Sequence, residues 1–186
     1  MQIEVGHQRF KHIAADIADL TEAMGIGSPS LYAAFGSKEA LYAEALEHYR
    51  SSNSHLVWGS FCTATTAREA VAALLMDSAA ALTGSVVDIP RGCMLTLSAV
   101  GSEGHAELGE LVRVRRHVTY ERLKARIDQA VTEGEIAASV DGAALARFIQ
   151  TVQYGMSTLA RDGAERAELE AVAQVALAGW DARTSP

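Results

Sequence analysis

The chain has 186 residues, 49% of them hydrophobic, with only three prolines and almost no alternation of β-branched side chains, which excludes a sheet-built protein and leaves an all-α chain long enough to bury a proper core. No run of ~18 apolar residues and no basic-then-apolar leader occurs, so neither a membrane span nor a secretory signal is expected and the expected address is the cytoplasm. A net charge of -7 excludes broad attraction to polyphosphate, so any contact with nucleic acid must be local.

At the front, Phe10, Ile13 and Ile17 keep helical spacing and predict a short helix from about His7. Ile17, Leu20 and Met24 then share a helix face, and the pattern resumes after Gly25 with Ile26, Leu31 and Phe35. Two short helices therefore bury one common face. Gly25 can take the left-handed backbone that stops the first of them, and Ser28 is expected to cap the second with Pro29 behind it. Such a helix-turn-helix lays its second helix in the major groove of double-stranded DNA with the N-terminal residues toward base edges, here Ser28, Pro29 and Ser30. Side chains this small make few strong base contacts, so shape and deformability of the operator are expected to share in specificity. Thr21, late in the first motif helix, offers a hydroxyl to the DNA backbone.

The run from Ser30 to Leu41, SLYAAFGSKEAL, resembles the sequence LYxxFxSKexL that closes the DNA-binding domain of the TetR/AcrR family of bacterial transcriptional regulators. Beyond about Tyr49 the resemblance is only architectural. It implies an N-terminal helix-turn-helix domain over residues 1–50, its first helix short or truncated, and a ligand-binding and dimerisation domain over 51–186. It implies phosphate contacts from Tyr32, whose ring can lean on the domain beside buried Leu31, and from Lys38, one residue after the expected N-cap Ser37. A purely structural account competes, in which Ser30 and Ser37 only cap helices and Tyr32 only packs. The front departs from the family pattern: Lys11-His12 and Ala15-Asp16 stand where a Gly-aromatic turn and a Thr-Ser cap are usual, and Asp16 would repel a phosphate. Either the true reading frame opens upstream of Met1 or the domain binds DNA weakly. Residues 1–50 also carry Arg9, Lys11, Lys38 and Arg50 against Glu4, Asp16, Asp19, Glu22, Glu39, Glu44 and Glu47, an acidic balance that predicts a shallow salt dependence.

From Lys38, the spacing Leu41, Tyr42, Ala45, Leu46, Tyr49 predicts a linking helix that continues towards Trp58. Further helices are expected over 66–82, 93–100, 105–132, 141–160 and 165–183, with a loop over 84–92. Arg113, Arg115, Arg116, Arg122, Lys124 and Arg126 in the longest of these are interspersed with Glu110, Glu121 and Asp128, which favours a solvated face over a nucleic-acid stripe. Leu145, Ile149, Val152, Met156 and Leu159 step by 4, 3, 4 and 3, and Leu169, Val172, Ala173, Ala176 and Trp180 offer a matching face. Either this seam is an intramolecular core, or it forms the four-helix homodimer interface that the family resemblance implies. Gly155 and Gly179, mid-helix, predict close approach of another helix.

By the same resemblance a small-molecule effector is expected between the linking helix and this bundle. Trp58, Phe61, Cys93, Met94, Leu97, His117, Tyr120, Phe148 and Tyr154 are candidates to line its pocket, each also eligible as ordinary core. Cys93 has a second reading: in Pro90-Arg91-Gly92-Cys93 the thiol falls at an expected helix start beside Arg91, a setting that stabilises thiolate. The leading function is a ligand-responsive repressor that binds a palindromic operator as a homodimer. The alternative is a dimeric small-molecule or redox sensor without DNA binding. An enzyme is disfavoured, because no metal-spaced His/Cys cluster, phosphate-cradling Gly loop or nucleophile elbow occurs and the six His are scattered; no metal or cofactor is expected.

Overall fold

The computed structural model describes residues 17–98 and 105–184. Among these the chain forms nine helices and no strand: α1 (Ile17–Met24), α2 (Ser28–Phe35), α3 (Lys38–Asn53), α4 (His55–Thr63), α5 (Ala67–Leu82), α6 (Met94–Leu97), α7 (Ala106–Thr132), α8 (Gly142–Arg161) and α9 (Arg166–Thr184). The helix expected from His7 and the Asp16 cap lie outside the described residues, and the helix expected over 93–100 is shorter, starting at Met94 and ending at Leu97 with Ser98 already extended.

Three separate hydrophobic clusters organise the chain. Leu20, Leu31 and Leu41, one from each of α1, α2 and α3, are buried together with Ile17, Met24, Ile26 and Phe35 around them. A second cluster of Tyr42, Leu46, Leu108 and Val112, with Met94 and Leu95 against it, joins α3 to α6 and α7. The main core lies among α4, α5, α7, α8 and α9, where Leu74, Leu75, Leu123, Ile127, Ile149, Met156, Leu169 and Trp180 are wholly enclosed.

Local chemistry sets the boundaries. Gly25 takes φ +65° and ends α1. The first bond of α2, Leu31 N–H to the Gly27 carbonyl at 3.1 Å, starts one residue earlier than the sequence suggests. Gly27 is therefore the cap residue, while Ser28 begins the helix without a capping bond and Pro29 follows within its first turn. Ser37 caps α3 as expected, its Oγ accepting from the Ala40 N–H at 3.0 Å. Thr66 and Glu69 close a reciprocal capping box on α5. The linking helix is interrupted at Ser54 and runs beyond Trp58 to Thr63.

The seam on α8 and α9 turns inward. Leu145, Ile149 and Met156 meet Leu169, Ala173, Ala176 and Trp180 in the main core, with Val152 packed against it. Leu159, two heptads after Leu145, is 46% exposed, because a straight helix drifts about 20° per heptad from a 3.5-residue repeat. Val172 is likewise exposed. Gly155 and Gly179 face open space within the protomer, so the helix expected against them is not one of its own. The basic residues of α7 are engaged: Arg113 with Glu110, Arg115 with Glu47, Lys124 with Asp128, Arg126 with Glu135 and the Thr65 carbonyl, and Arg122 over the Trp58 ring.

Candidate nucleic-acid interface and internal cavity

The three-helix unit presents the start of α2 outward. Leu31 is fully enclosed and holds the helix down, while Ser28, Pro29 and Ser30 on the preceding turn are exposed, as are Ala33 and Ala34. Tyr32 is 46% exposed, its ring open on the same small domain. Lys38 opens α3 and no acceptor engages its ammonium among the described residues. Its neighbour Glu39 is held below the ordinary carboxylate range by its own backbone N–H and by Ser37, and pairs with His105 at 3.2 Å. A carboxylate thus sits beside the Lys38 cation and limits its reach for anions.

Thr21 turns its hydroxyl back on its own helix. Its Oγ1 donates to the carbonyl of Ile17 (2.9 Å) or Ala18 (3.0 Å), a bond the hydroxyl would exchange for one to a phosphate.

Behind this unit, α3 is tied to the body of the protein. The Tyr42 hydroxyl bonds Ser98 Oγ, and burial raises its pKa. Arg116 from α7 donates to the carbonyls of Leu95 (3.2 Å), Thr96 (2.7 Å) and Ser98 (2.7 Å), fixing the C-terminal end of α6. Gln150 of α8 in turn donates to the Arg116 carbonyl at 2.9 Å.

Between α3, α4, α5, α7 and α8 lies a cavity of about 390 Å³ with mainly apolar walls. It falls in the size range of small-molecule sites. Of the residues the sequence nominated, it brings Trp58, Cys93 and Tyr154 together on this wall. The others go elsewhere. Phe61 is packed in the main core edge-on to Trp58 at 5.0 Å, because its side of α4 faces α5. Met94 joins the Tyr42 cluster and Leu97 lies against Gly92. Tyr120 is buried under the Arg147 guanidinium, 3.6 Å from its ring, and His117 stacks outside it beside Glu121. Phe148 is 43% exposed on the outer side of α8.

The sequence reading missed Tyr49 as a wall residue, and with it Ser78, Gln153 and Ser157. A Ser within the apolar run of α5 was the available signal for Ser78, and helical spacing from Tyr154 was the signal for Ser157. Tyr49 is pushed far above the ordinary tyrosine value by burial first and by the neighbouring Cys93 thiol second.

The Arg91 cation expected beside Cys93 is committed to other partners. Arg91 is drawn away to the Gly163 and Ala164 carbonyls (3.1 and 3.2 Å) and to Glu165 (2.9 Å), in the turn between α8 and α9. The helix after Cys93 is only four residues long, and the Cys93 N–H is given to Ser157 Oγ at 2.8 Å.

An outward, glycine-turned helix on its own small core, joined by α3 to a helical body that holds an apolar cavity, defines a helix-turn-helix protein. No protein-family model matches the chain. It is 31% identical over 170 residues to the HTH-type transcriptional repressor ComR of Escherichia coli K12, covering 90% of this chain and 80% of ComR. Among solved structures it superposes on the TetR family regulator CifR, determined with 26 bp of double-stranded operator DNA, at TM-score 0.86, 35% identity and 97% of both chains. It is also similar to a putative TetR regulator from Rhodococcus sp. RHA1 at TM-score 0.62 and 34% identity, over 95% of this chain and 93% of that one. The chain belongs to the TetR family of transcriptional regulators. None of its described helices is long and apolar enough to cross a membrane.

Proposed function

We propose that this protein is a cytoplasmic, homodimeric repressor that binds a palindromic operator through α2 and is released from it by a small molecule held in the cavity. The observation that carries the reading is the exposed first turn of α2 anchored by Leu31, with Tyr32 and the unengaged Lys38 flanking it. Operator binding, seen in CifR, is carried here to this chain on the strength of that face. Ser28, Pro29 and Ser30 lie toward base edges, and Tyr32 and Lys38 hold the phosphates that set register.

The functional division at residue 50 falls within α3. That helix belongs to both parts: Leu41 faces the DNA-binding unit, whereas Tyr49 and Asn53 face the cavity. A ligand that displaces Tyr49 or Leu95 therefore acts on the same helix that carries Lys38. Dimerisation is assigned to the outer side of α8 and α9, where Phe148, Gly155 and Leu159 line up beside Val172, Val175 and Gly179 without a partner in the protomer. A two-fold pair sets its recognition helices about 34 Å apart, one turn of DNA.

The test is a mobility shift against the DNA upstream of the protein's own gene. Tyr32→Ala and Lys38→Ala should each weaken retardation, and Lys38→Ala should flatten the salt dependence by about 0.9 per phosphate lost. Equal retardation of wild type and both variants would remove the contacts assigned here.

A further inference from the structure

The cavity's polar groups are unevenly spent. On its deep wall, Ser78 Oγ accepts from Gln153 Nε2 at 3.0 Å, Tyr154 Oη accepts from Gln150 Nε2 at 3.0 Å, and Ser157 Oγ accepts from the Cys93 N–H at 2.8 Å. Each hydroxyl also owns one proton, and among the described residues no protein acceptor takes any of the three. Ser78 and Ser157 are almost wholly buried, at 0% and 1% exposure, and Tyr154 is kept protonated by burial. Buried donors without acceptors are costly, at about 1–3 kcal/mol each.

Charge is distributed the opposite way. Both cations on the cavity's rim engage the same carboxylate, Arg50 bonding Glu47 and Arg115 reaching it at 3.1 Å, and with Glu44 the rim charges sum to zero. Glu44 lies exposed at the mouth, in water. The deep wall holds only neutral groups, with Trp58, Val57, Leu82 and Ile89 supplying apolar surface. An ionised ligand would lose its hydration there and meet no opposite charge.

We infer that the cavity takes an uncharged, largely apolar molecule bearing one oxygen acceptor, a carbonyl or an ether, whose two lone pairs take protons from among Ser78, Tyr154 and Ser157. This rests on the reading of the cavity as the effector site and adds the class of effector. One turn of α8 and the facing turn of α5 supply all three donors, so the acceptor sits deep and the hydrocarbon part extends toward Trp58.

Calorimetric titration of the full-length protein with matched probes tests it. The set is 1-acetonaphthone, 1-ethylnaphthalene, 1-naphthoate and 1-naphthylmethylamine, with the corresponding phenyl compounds as a smaller series. The ketone should bind about tenfold more tightly than the hydrocarbon of the same shape, and both ions at least about a hundredfold more weakly than the ketone. Ser78→Ala and Ser157→Ala should lower ketone affinity severalfold and leave hydrocarbon affinity unchanged. Tyr154→Phe, which keeps the ring, gives the same readout should either serine variant fail to fold. Equal affinity for ketone and hydrocarbon, or tighter binding of an ion, would overturn the assignment of class while leaving a ligand site. Ketone binding without release of operator DNA would uphold the class and remove the effector role. Absence of binding by all probes in both series would overturn the inference and the effector reading together.

Discussion

The Tyr42 hydroxyl and Ser98 Oγ form a hydrogen bond between the helix that carries Lys38 and the residue that ends α6. Ser98 also donates to the Met94 carbonyl at 2.6 Å, and its own carbonyl is held by Arg116. Leu95 and Thr96, in the same short helix, line the cavity. A displacement of α6 by a ligand therefore reaches α3 through one bond and one apolar cluster. Tyr42→Phe keeps the ring in that cluster and removes only the bond. The expected result is a loss of about 1 kcal/mol in stability, with operator affinity of the free protein retained and ligand-induced release weakened. Fluorescence anisotropy of labelled operator, with and without a bound probe, measures both. Wild-type release in the variant would place the coupling elsewhere.

Gly92 occupies a corner that no other residue fits. Its φ is +82°, and a Cβ there would stand 2.5 Å from Leu97 Cδ1 and 2.9 Å from the Ser157 carbonyl oxygen. The backbone oxygen cannot yield as a side chain can. Gly92→Ala should therefore cost about 3 kcal/mol and lower the melting temperature by roughly 6–12 °C in a chain of this size. Thermal denaturation followed by circular dichroism decides it. A change under about 2 °C would mean that the corner relaxes.

Three hydroxyls link stability to alkaline pH. Tyr42, Tyr49 and Tyr154 are all raised above the ordinary value near 10 by burial, Tyr49 by far the most. In the unfolded chain these groups ionise near 10, whereas in the folded protein they ionise only at higher pH. Above that pH the unfolded state binds fewer protons than the folded state, so stability falls as pH rises. The contribution is complete below pH 10 and is lost progressively above it. Urea denaturation between pH 8 and 11.5 should show this decline, and Tyr49→Phe should make it shallower. An unchanged slope in that variant would show that Tyr49 ionises freely in the native state.

Much of this was legible in the sequence, and the reasons differ by region. Caps and glycine stops are local chemistry, which is why α5 and α7 fell within a residue or two of expectation and the Ser37 cap was correct. The turn at α2 was read one residue late, because Ser28 is a better cap by type than Gly27 and only the Leu31–Gly27 bond decides between them. The cavity was poorly legible. Its wall is assembled from α3, α4, α5, α6 and the segment before it, α7 and α8, and aromatic type says nothing of direction: Phe61 and Phe148 share a side chain, yet one is core and the other faces out. The setting of Cys93 was poorly legible for a related reason. Arg91 is near it in sequence, but the guanidinium bonds the turn between α8 and α9 instead.

The outer face of α8 and α9 gives the last expectation. Val175 is 75% exposed, and nothing lies within 4 Å of a Cβ built on Gly155 or Gly179. Within one protomer, Gly179→Ala should raise helix stability by about 0.5–1 kcal/mol, since glycine is a poor interior helix residue and there is room for the methyl. Val175→Glu, on an open surface, should leave subunit stability within about 0.5 kcal/mol. Across a dimer both substitutions act differently: the alanine holds the opposing helix off, and the glutamate buries an unpaired charge. Sedimentation velocity should therefore show weakened self-association for Gly179→Ala and monomer for Val175→Glu, and Val175→Glu should bind a two-half-site operator far more weakly than wild type. If Val175→Glu remains dimeric at wild-type affinity, the pairing surface lies on another face and the apolar stripe has a different role.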